Sequence, residues 1–206
     1  KGSIAMGPLC SKELELLRPA LSPDAPALLL LGGAKISTKL PLIQRYLSMG
    51  VKVFVGGAMA HNIMLAKGID IHNSFHDDTP LPADILNNPN LYIPTRVVWD
   101  TNNRIMDIDF ENDENIAGLI SGSSTIIMNG PFGMYESGYE KGTIDILNAI
   151  SIATALGSSS ILGGGDTVTV LENSHINMDN FSHVSTGGGA MLDYLSSGSL
   201  PAISVL

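Results

Sequence analysis

Short runs of consecutive apolar residues alternate along this chain with longer stretches in which apolar residues recur every three or four positions. Continuous apolar runs of four or five residues are typical of strands that a sheet buries on both faces. We therefore predict strands at residues 27–31, 51–55, 92–99, 104–108, 125–128, 159–162 and 181–184.

The stretches between these runs have the apolar spacing of helices. One helix is predicted to begin with Ser37 as its N-cap and to end before Gly50, with Pro41 tolerated in its first turn. The others are predicted at residues 59–66, 83–86, 112–121, 143–156, 167–171 and 190–195. Strands that alternate with helices predict an α/β fold, a doubly wound, mainly parallel, Rossmann-like sheet with helices on both faces.

Glycine accounts for 22 of the 206 residues, and most of the glycines stand in five clusters that directly follow predicted strands. The clusters are Gly32-Gly33, Gly56-Gly57, Gly130 with Gly133, Gly163 to Gly165, and Gly187 to Gly189. Ligands of parallel sheets bind beyond the carboxyl ends of the strands, and free N–H groups at the following helices attract anions. We therefore expect the clusters to line one crevice that takes a phosphate-bearing ligand.

Composition and charge narrow the class of protein further. Apolar residues make up 44% of the chain and charged residues 15%, which is typical of a globular protein. The formal charge of −9 and the lack of a basic stripe argue against nucleic acid or an anionic membrane as a partner. No apolar run reaches the roughly 20 residues of a membrane helix. The single cysteine, Cys10, favours a reducing, cytoplasmic compartment.

Charged side chains beside the glycine clusters indicate how a phosphate ligand would be held. Lys35 and Lys39 are four residues apart, so at the start of a helix we expect both ammonium groups on one face. Asp166 directly follows a glycine cluster, where a Mg²⁺ ion carried by a nucleotide would reconcile the carboxylate with anion-binding N–H groups. Glu136 could accept hydrogen bonds from a ribose.

Two common nucleotide-binding motifs are not found in the sequence. The P-loop motif is absent, and no acidic residue follows the second strand to bind a dinucleotide ribose, which disfavours NAD.

The clusters stand within five ordered segments: Gly32-Gly33-Ala34-Lys35-Ile36-Ser37-Thr38-Lys39, Val55-Gly56-Gly57-Ala58-Met59-Ala60, Asn129-Gly130-Pro131-Phe132-Gly133-Met134-Tyr135-Glu136, Gly163-Gly164-Gly165-Asp166-Thr167 and Ser185-Thr186-Gly187-Gly188-Gly189-Ala190. In this order they closely resemble the motifs of phosphoglycerate kinases. The resemblance covers almost the whole chain, including Leu200-Pro201 near the usual end of the family.

That family has two lobes joined by a hinge. The resemblance implies that residues 1–206 form the C-terminal, nucleotide-binding lobe, that residues 1–22 are an inter-lobe helix region, and that the N-terminal, acceptor-binding lobe lies outside this chain. The implied reaction is reversible phosphoryl transfer between 1,3-bisphosphoglycerate and ADP in glycolysis, with Mg²⁺ as cofactor. We expect the lobe alone to be a monomer that binds ATP or ADP without turnover, because 1,3-bisphosphoglycerate and 3-phosphoglycerate would need the other lobe.

The resemblance also implies a role for each matching residue. Asp166 would organise the Mg²⁺ ion, largely through the nucleotide complex, and Glu136 would bind the ribose hydroxyls. The transferred phosphoryl group would be contacted by Lys35, Gly187 and Gly188. The phosphates would be bound by Lys39, Asn129, Gly164, Gly165 and Thr167. The adenine slot would be lined by Gly33, Gly57, Met106, Pro131 and Met134.

Several positions depart from the family pattern. Ala58 replaces a glycine in the adenine slot, Met128 replaces a tryptophan, and Asp109-Phe110 replaces Gly-Pro. The segment between Trp99 and Met106 is also shorter than the family's loop. These departures concern the adenine end of the predicted site, whereas the predicted phosphate and metal positions are intact.

Two other functions compete with the kinase. A non-catalytic nucleotide-binding module would keep the same pocket, although Lys35 and the Gly187 cluster serve transfer as well as binding. An NAD-linked oxidoreductase would need the acidic residue that is absent after the second strand.

The histidines give no clear metal site. His72 and His76 have the spacing of a metal pair but stand in a connector rich in Pro and Asp, and His61 is expected to serve packing.

Overall fold

The central strand buries both of its faces. In the computed structural model, which describes residues 7–200, β1 (Ala27–Leu31) consists of five fully buried residues. Leu29 and Leu31 belong to one apolar cluster, whereas Leu28 and Leu30 belong to another. Because successive side chains of a strand point to opposite faces, the two clusters lie on opposite sides of the sheet.

The described residues form eight strands and eight α-helices. The strands after β1 are β2 (Lys52–Val55), β3 (Leu91–Tyr92), β4 (Val97–Trp99), β5 (Ile105–Ile108), β6 (Thr125–Asn129), β7 (Ser159–Gly163) and β8 (His183–Val184). The helices are α1 (Pro8–Leu21), α2 (Leu40–Ser48), α3 (Ala58–Ala66), α4 (Ala83–Leu86), α5 (Ile116–Ser121), α6 (Lys141–Ala155), α7 (Gly165–Asn173) and α8 (Gly189–Ser197). Two 3-10 turns are found at Tyr135–Ser137 and Met178–Asn180.

Six strands form one parallel sheet in the order β3-β2-β1-β6-β7-β8, and β4 pairs with β5 in a separate antiparallel ribbon. One face of the sheet packs on buried residues of α1, α2, α3, α4 and α8, and the other on those of α5, α6 and α7. The predicted doubly wound α/β fold is therefore confirmed. All five glycine clusters follow strands of the parallel sheet, so they lie at its carboxyl edge.

Two predicted elements are wrong, for local reasons. The strand predicted at residues 92–99 is divided into β3 and β4, which belong to different sheets, and Pro94 stands between them without an N–H for a strand ladder. Ser37 does not cap a helix, because the N–H groups of Lys39 and Leu40 both donate to the Ile36 carbonyl in a turn before α2 begins.

The ends of the predicted lobe are only partly described. The predicted inter-lobe region of residues 1–22 contains α1, whereas residues 1–6 and 201–206, including Pro201 of the resemblance, lie outside the described residues. Among residues 7–200, the structure has no helix that combines the length and the apolar character needed to cross a membrane.

Candidate functional site

The loops that follow β1, β2 and β6 are joined to one another by backbone hydrogen bonds. The N–H of Gly33 donates to the Pro131 carbonyl at 2.8 Å, and the N–H of Met59 donates to the Gly33 carbonyl at 3.2 Å. Gly57 has a φ of 61°, and a Cβ at this position would lie 2.7 Å from the Gly33 oxygen. A side chain at residue 57 would therefore force the loops apart.

A cavity of about 500 Å³ opens beside these joined loops. The end of the cavity nearest the glycine loops is formed by residues of the family motifs: Gly33, Gly57, Pro131, Met134, Glu136 and Asp166. Its far end is formed by α3, the connector of residues 70–80, and the β4–β5 ribbon, which contribute Ala60, His61, Met64, Phe75, Val97, Ile105 and Met106. The lining is predominantly apolar, which suits a flat, uncharged ring system.

A smaller basin of about 210 Å³ adjoins this cavity. The basin and the cavity share Gly33, Pro131 and Asp166. The remaining wall of the basin includes Lys39, Asn129, Gly130, Gly164, Gly165, Gly188 and Gly189. The basin thus lies where the carboxyl ends of β1, β6 and β7 meet the first turns of α7 and α8.

Lys39 is the basic side chain of the basin. Its Nζ donates to the carbonyl of Gly32 at 2.7 Å, to the side-chain oxygen of Asn129 at 2.9 Å and to the carbonyl of Asn129 at 3.2 Å. Only 8% of Lys39 is exposed, and burial lowers its pKa to about 8, although the nearby Asp166 acts in the opposite direction. A bound phosphate would supply the full counter-charge that Lys39 lacks.

The amide of Asn129 has an unused donor. Its Oδ1 accepts from Lys39, whereas its Nδ2 is buried and makes no hydrogen bond with any residue between 7 and 200. A Cβ on Gly164 would lie 3.1 Å from this nitrogen, so Nδ2 faces the start of α7. A buried donor without a partner is costly, and an anion in the basin would satisfy it.

Two helices begin at the basin without a side-chain cap. Neither α7 nor α8 has an N-cap side chain that accepts from its first turn, and Gly164 and Gly188 occupy the two N-cap positions. The N–H groups of a first helical turn have no partners within the helix, and the helix dipole favours negative charge there. Two helix starts, Lys39 and the Asn129 amide therefore give the basin the groups that an anion would need.

Asp166 stands at the junction of cavity and basin. Its side chain is exposed, and its Oδ1 accepts a hydrogen bond from the Tyr135 hydroxyl at 3.1 Å. Partial burial and the Asp166 carboxylate raise the pKa of Tyr135 to about 12, so the phenol stays protonated and remains a donor. Tyr135 belongs to a predicted motif, but the sequence alone did not indicate its contact with Asp166.

Two buried side chains that were not predicted form hydrogen bonds beside the cavity, one to the loop after β6 and one to the start of α6. Thr143 accepts from the N–H of Phe132 at 2.9 Å, and Asp107 accepts from the N–H groups of Gly142 and Ile108, both at 2.8 Å. Burial raises the pKa of Asp107 to about 6. Thr143 and Asp107 do not belong to a recognisable sequence motif, because their contacts depend on how α6 packs against β5.

Comparisons with known proteins identify the family of this chain. The family model of phosphoglycerate kinase matches residues 2–198. This chain belongs to the phosphoglycerate kinase family. The phosphoglycerate kinases of Corynebacterium diphtheriae and Histophilus somni are 33% and 35% identical to it over 97% of the chain. The chain spans only 56% and 57% of their respective lengths.

Solved phosphoglycerate kinase structures have the same fold. The structure from Coxiella burnetii aligns with a TM-score of 0.80 at 30% identity, covering 97% of this chain and 57% of that one. The structure from Pyrococcus horikoshii aligns with a TM-score of 0.78 at 27% identity, covering 95% of this chain and 55% of that one.

Most of the residues predicted from the phosphoglycerate kinase motifs lie together at this site. The cavity or the basin is lined by Gly33, Lys39, Gly57, Met106, Asn129, Pro131, Met134, Glu136, Gly164, Gly165, Asp166 and Gly188. Their individual roles stay predictions.

Three predicted residues do not line the cavity or the basin: Lys35, Thr167 and Gly187. Lys35 is exposed and precedes α2, so the prediction that it shares a helix face with Lys39 is wrong. Thr167 is fully buried, and its Oγ1 accepts from the N–H of Gly130 at 2.8 Å. The N–H of Gly187 donates to Ser185.

The donor set fits a magnesium ion carried by a nucleotide. Mg²⁺ is commonly held by one or two carboxylates together with substrate phosphates and water. Asp166 offers one exposed carboxylate in the wall of the basin, where a bound phosphate chain would supply further oxygen ligands. Among residues 7–200 there is no group of three or more His, Cys, Asp or Glu side chains that could hold a metal ion.

Proposed function

We propose that this chain is the nucleotide-binding lobe of a phosphoglycerate kinase and that it binds ADP or ATP together with Mg²⁺. The observation that carries the proposal is the junction of an apolar cavity with an anion-binding basin at Gly33, Pro131 and Asp166. A nucleotide has the same division into a flat base and a charged phosphate chain. One ligand with both parts would occupy the cavity with its base and the basin with its phosphates.

The phosphate chain would use groups that are already in position. Lys39, whose three ammonium hydrogens are used in the ligand-free structure, would exchange one of these acceptors for a phosphate oxygen. The buried Nδ2 of Asn129 would gain its missing acceptor. The free N–H groups of Gly165 and Gly188 would add hydrogen bonds from the helix starts. Thr167 would contribute its backbone N–H, because its hydroxyl already fixes Gly130.

The nucleoside would be bound by the loop after β6 and the residues that face it. Met106 and Met134 would contact the base, and the N–H of Met134 donates to the Met106 carbonyl at 2.8 Å, which fixes their separation. Gly33, Gly57 and Pro131 would supply backbone surface around the base. Glu136 is exposed at the mouth and would accept from the ribose hydroxyls.

The proposed reaction is the reversible, glycolytic transfer of a phosphoryl group from 1,3-bisphosphoglycerate to ADP. A β-phosphate oxygen of ADP would bond to the acyl phosphate phosphorus as the phosphorus–acyl oxygen bond breaks, giving ATP and 3-phosphoglycerate. A bound Mg²⁺ ion would neutralise phosphate charge. Transfer requires in-line positioning and exclusion of water, and a second lobe would hold 1,3-bisphosphoglycerate opposite the basin. Lys35, Gly187 and Gly188 would face the group in transfer after closure.

The proposal is tested by calorimetric titration of the chain with ADP, with and without Mg²⁺. We expect both forms to bind, and Asp166→Asn should weaken the Mg²⁺ complex much more than metal-free ADP, because Asp166 acts through the ion. Asp179→Asn removes an exposed carboxylate from a distant turn and serves as the matched control. No binding at millimolar ADP would refute the nucleotide function, and equal losses for both forms would refute the role of Asp166.

A further inference from the structure

His61 lies on α3 in the wall of the cavity, although its sequence position indicated only a packing role. Only 4% of the residue is exposed. It lines the cavity but not the basin, and it lies on α3, which forms one end of the cavity together with the connector of residues 70–80 and the β4–β5 ribbon. A ligand whose phosphates occupy the basin would present its base, rather than its ribose, toward this end.

A contact with the backbone determines which nitrogen of the His61 ring carries the hydrogen. Its Nδ1 lies 2.6 Å from the carbonyl oxygen of Phe75, in the connector of residues 70–80. A carbonyl oxygen can only accept, so Nδ1 carries the hydrogen of this bond. Burial lowers the pKa of His61, which keeps the ring neutral at pH 7. Nε2 therefore has a free lone pair, and it makes no hydrogen bond with another residue of the described range 7–200.

The surroundings of His61 make this acceptor selective. Its neighbours along the cavity wall include the apolar residues Ala60, Met64, Phe75 and Val97. A base packed against these residues would exclude water from Nε2, so that only a donor on the ligand could then pair with it. A ligand that offers a donor to Nε2 gains a hydrogen bond, whereas a ligand without a donor leaves a polar atom unpaired.

We propose that His61 determines base specificity, with Nε2 accepting a hydrogen bond from the 6-amino group of adenine. The inference rests on the proposed nucleotide function and adds a residue that selects among purines. The contact of Nδ1 with Phe75 makes His61 an acceptor rather than a donor, so the connector of residues 70–80 sets the preference.

The test compares ADP with purine riboside 5′-diphosphate, which has hydrogen in place of the 6-amino group. We expect the chain to bind ADP more tightly by roughly threefold to tenfold, the range for one net hydrogen bond. His61→Asn keeps a nitrogen donor for the Phe75 carbonyl but has no atom at the Nε2 position, so the two ligands should bind about equally. His61→Gln places an acceptor near the Nε2 position and should restore part of the preference for ADP.

Pyrophosphate binding, which would use the basin alone, confirms that each variant is folded. Equal affinity of the parent chain for the two nucleotides would overturn the inference, as would a preference that survives in His61→Asn. Loss of the preference in both variants would also overturn it, because the acceptor would not be the deciding group. Absence of ADP binding by the parent chain would instead refute the proposed function on which this inference rests.

Discussion

The basin and the cavity meet at three residues, yet they are built in different ways. The basin consists of the carboxyl ends of regular strands and the first turns of α7 and α8. The far end of the cavity consists of side chains from α3, the connector of residues 70–80 and the β4–β5 ribbon. The edge of the central sheet and the helices that follow it would therefore supply the charge recognition, whereas α3, the connector and the ribbon would supply the surface that distinguishes one base from another.

The two regions also differ in how many buried polar groups they leave without a partner when no ligand is bound. The basin contains a buried ammonium group without a full counter-charge and a buried amide donor without a partner, and both are costly in the absence of an anion. The cavity contains mostly apolar groups and one neutral histidine acceptor. We expect changes in the basin to alter phosphate affinity strongly and changes in the cavity to alter base affinity modestly.

The largest expected effect is that of Lys39→Met, which removes the basic side chain of the basin and keeps an unbranched apolar stem. Loss of a charge-assisted contact with phosphate should weaken ADP binding by roughly 100-fold, whereas adenosine, which would use only the cavity, should bind as before. Calorimetric titration measures both affinities. Lys67→Met, at an exposed position after α3, is the control. Parallel losses for ADP and adenosine would contradict the separation of the two regions.

The next largest effect is expected from Asn129→Asp. The new carboxylate would still accept from Lys39 but would replace the free Nδ2 donor with an oxygen that repels phosphate. ADP binding should weaken by roughly 10- to 100-fold, while the unfolding temperature of the ligand-free chain should not fall, because a buried ammonium group gains a counter-charge.

Asn148→Asp introduces the same charge at an exposed position of α6 and serves as the control for Asn129→Asp. Thermal unfolding and calorimetric titration are measured on both variants. Unchanged ADP affinity in Asn129→Asp would show that the free amide donor does not face the phosphate chain.

The difference between the regions also explains what the sequence could predict. The glycine clusters after apolar runs predicted the parallel sheet and the crevice at its carboxyl edge, because strand, turn and helix start are local in the sequence. The resemblance to phosphoglycerate kinases added site residues such as Asn129. The strand predicted at residues 92–99 was wrong because β3 pairs with β2 in the parallel sheet, whereas β4 pairs with β5 in a separate ribbon. The positions of His61 and Asp107 likewise depend on tertiary contacts, to the Phe75 carbonyl and to the start of α6, that no local pattern encodes.

A smaller effect on ADP affinity is expected when the pH is raised from 7 to 9. The pKa of Lys39 is about 8 without ligand, and bound phosphate would raise it, so ADP binding takes up a proton near pH 8. Affinity for ADP should therefore fall by roughly tenfold between pH 7 and pH 9, above the phosphate pKa of about 6. Titrations at pH 8 in two buffers of different ionisation enthalpy measure the uptake directly. Lys39→Met should abolish it, and proton uptake that persists in this variant would assign it to another group.

The smallest effect is expected from Ala58→Gly, which restores the glycine of the family pattern in the wall of the cavity. Ala58 is the first residue of α3, and its methyl group is partly buried against the space proposed for the base. Removing one methyl group changes the available contact little, so adenosine and ADP affinities should change together and by less than about threefold. Pyrophosphate binding should not change, because Ala58 does not line the basin. A change in pyrophosphate binding would mean that the loop after β2 controls the basin, and the two regions would then have to be treated as one.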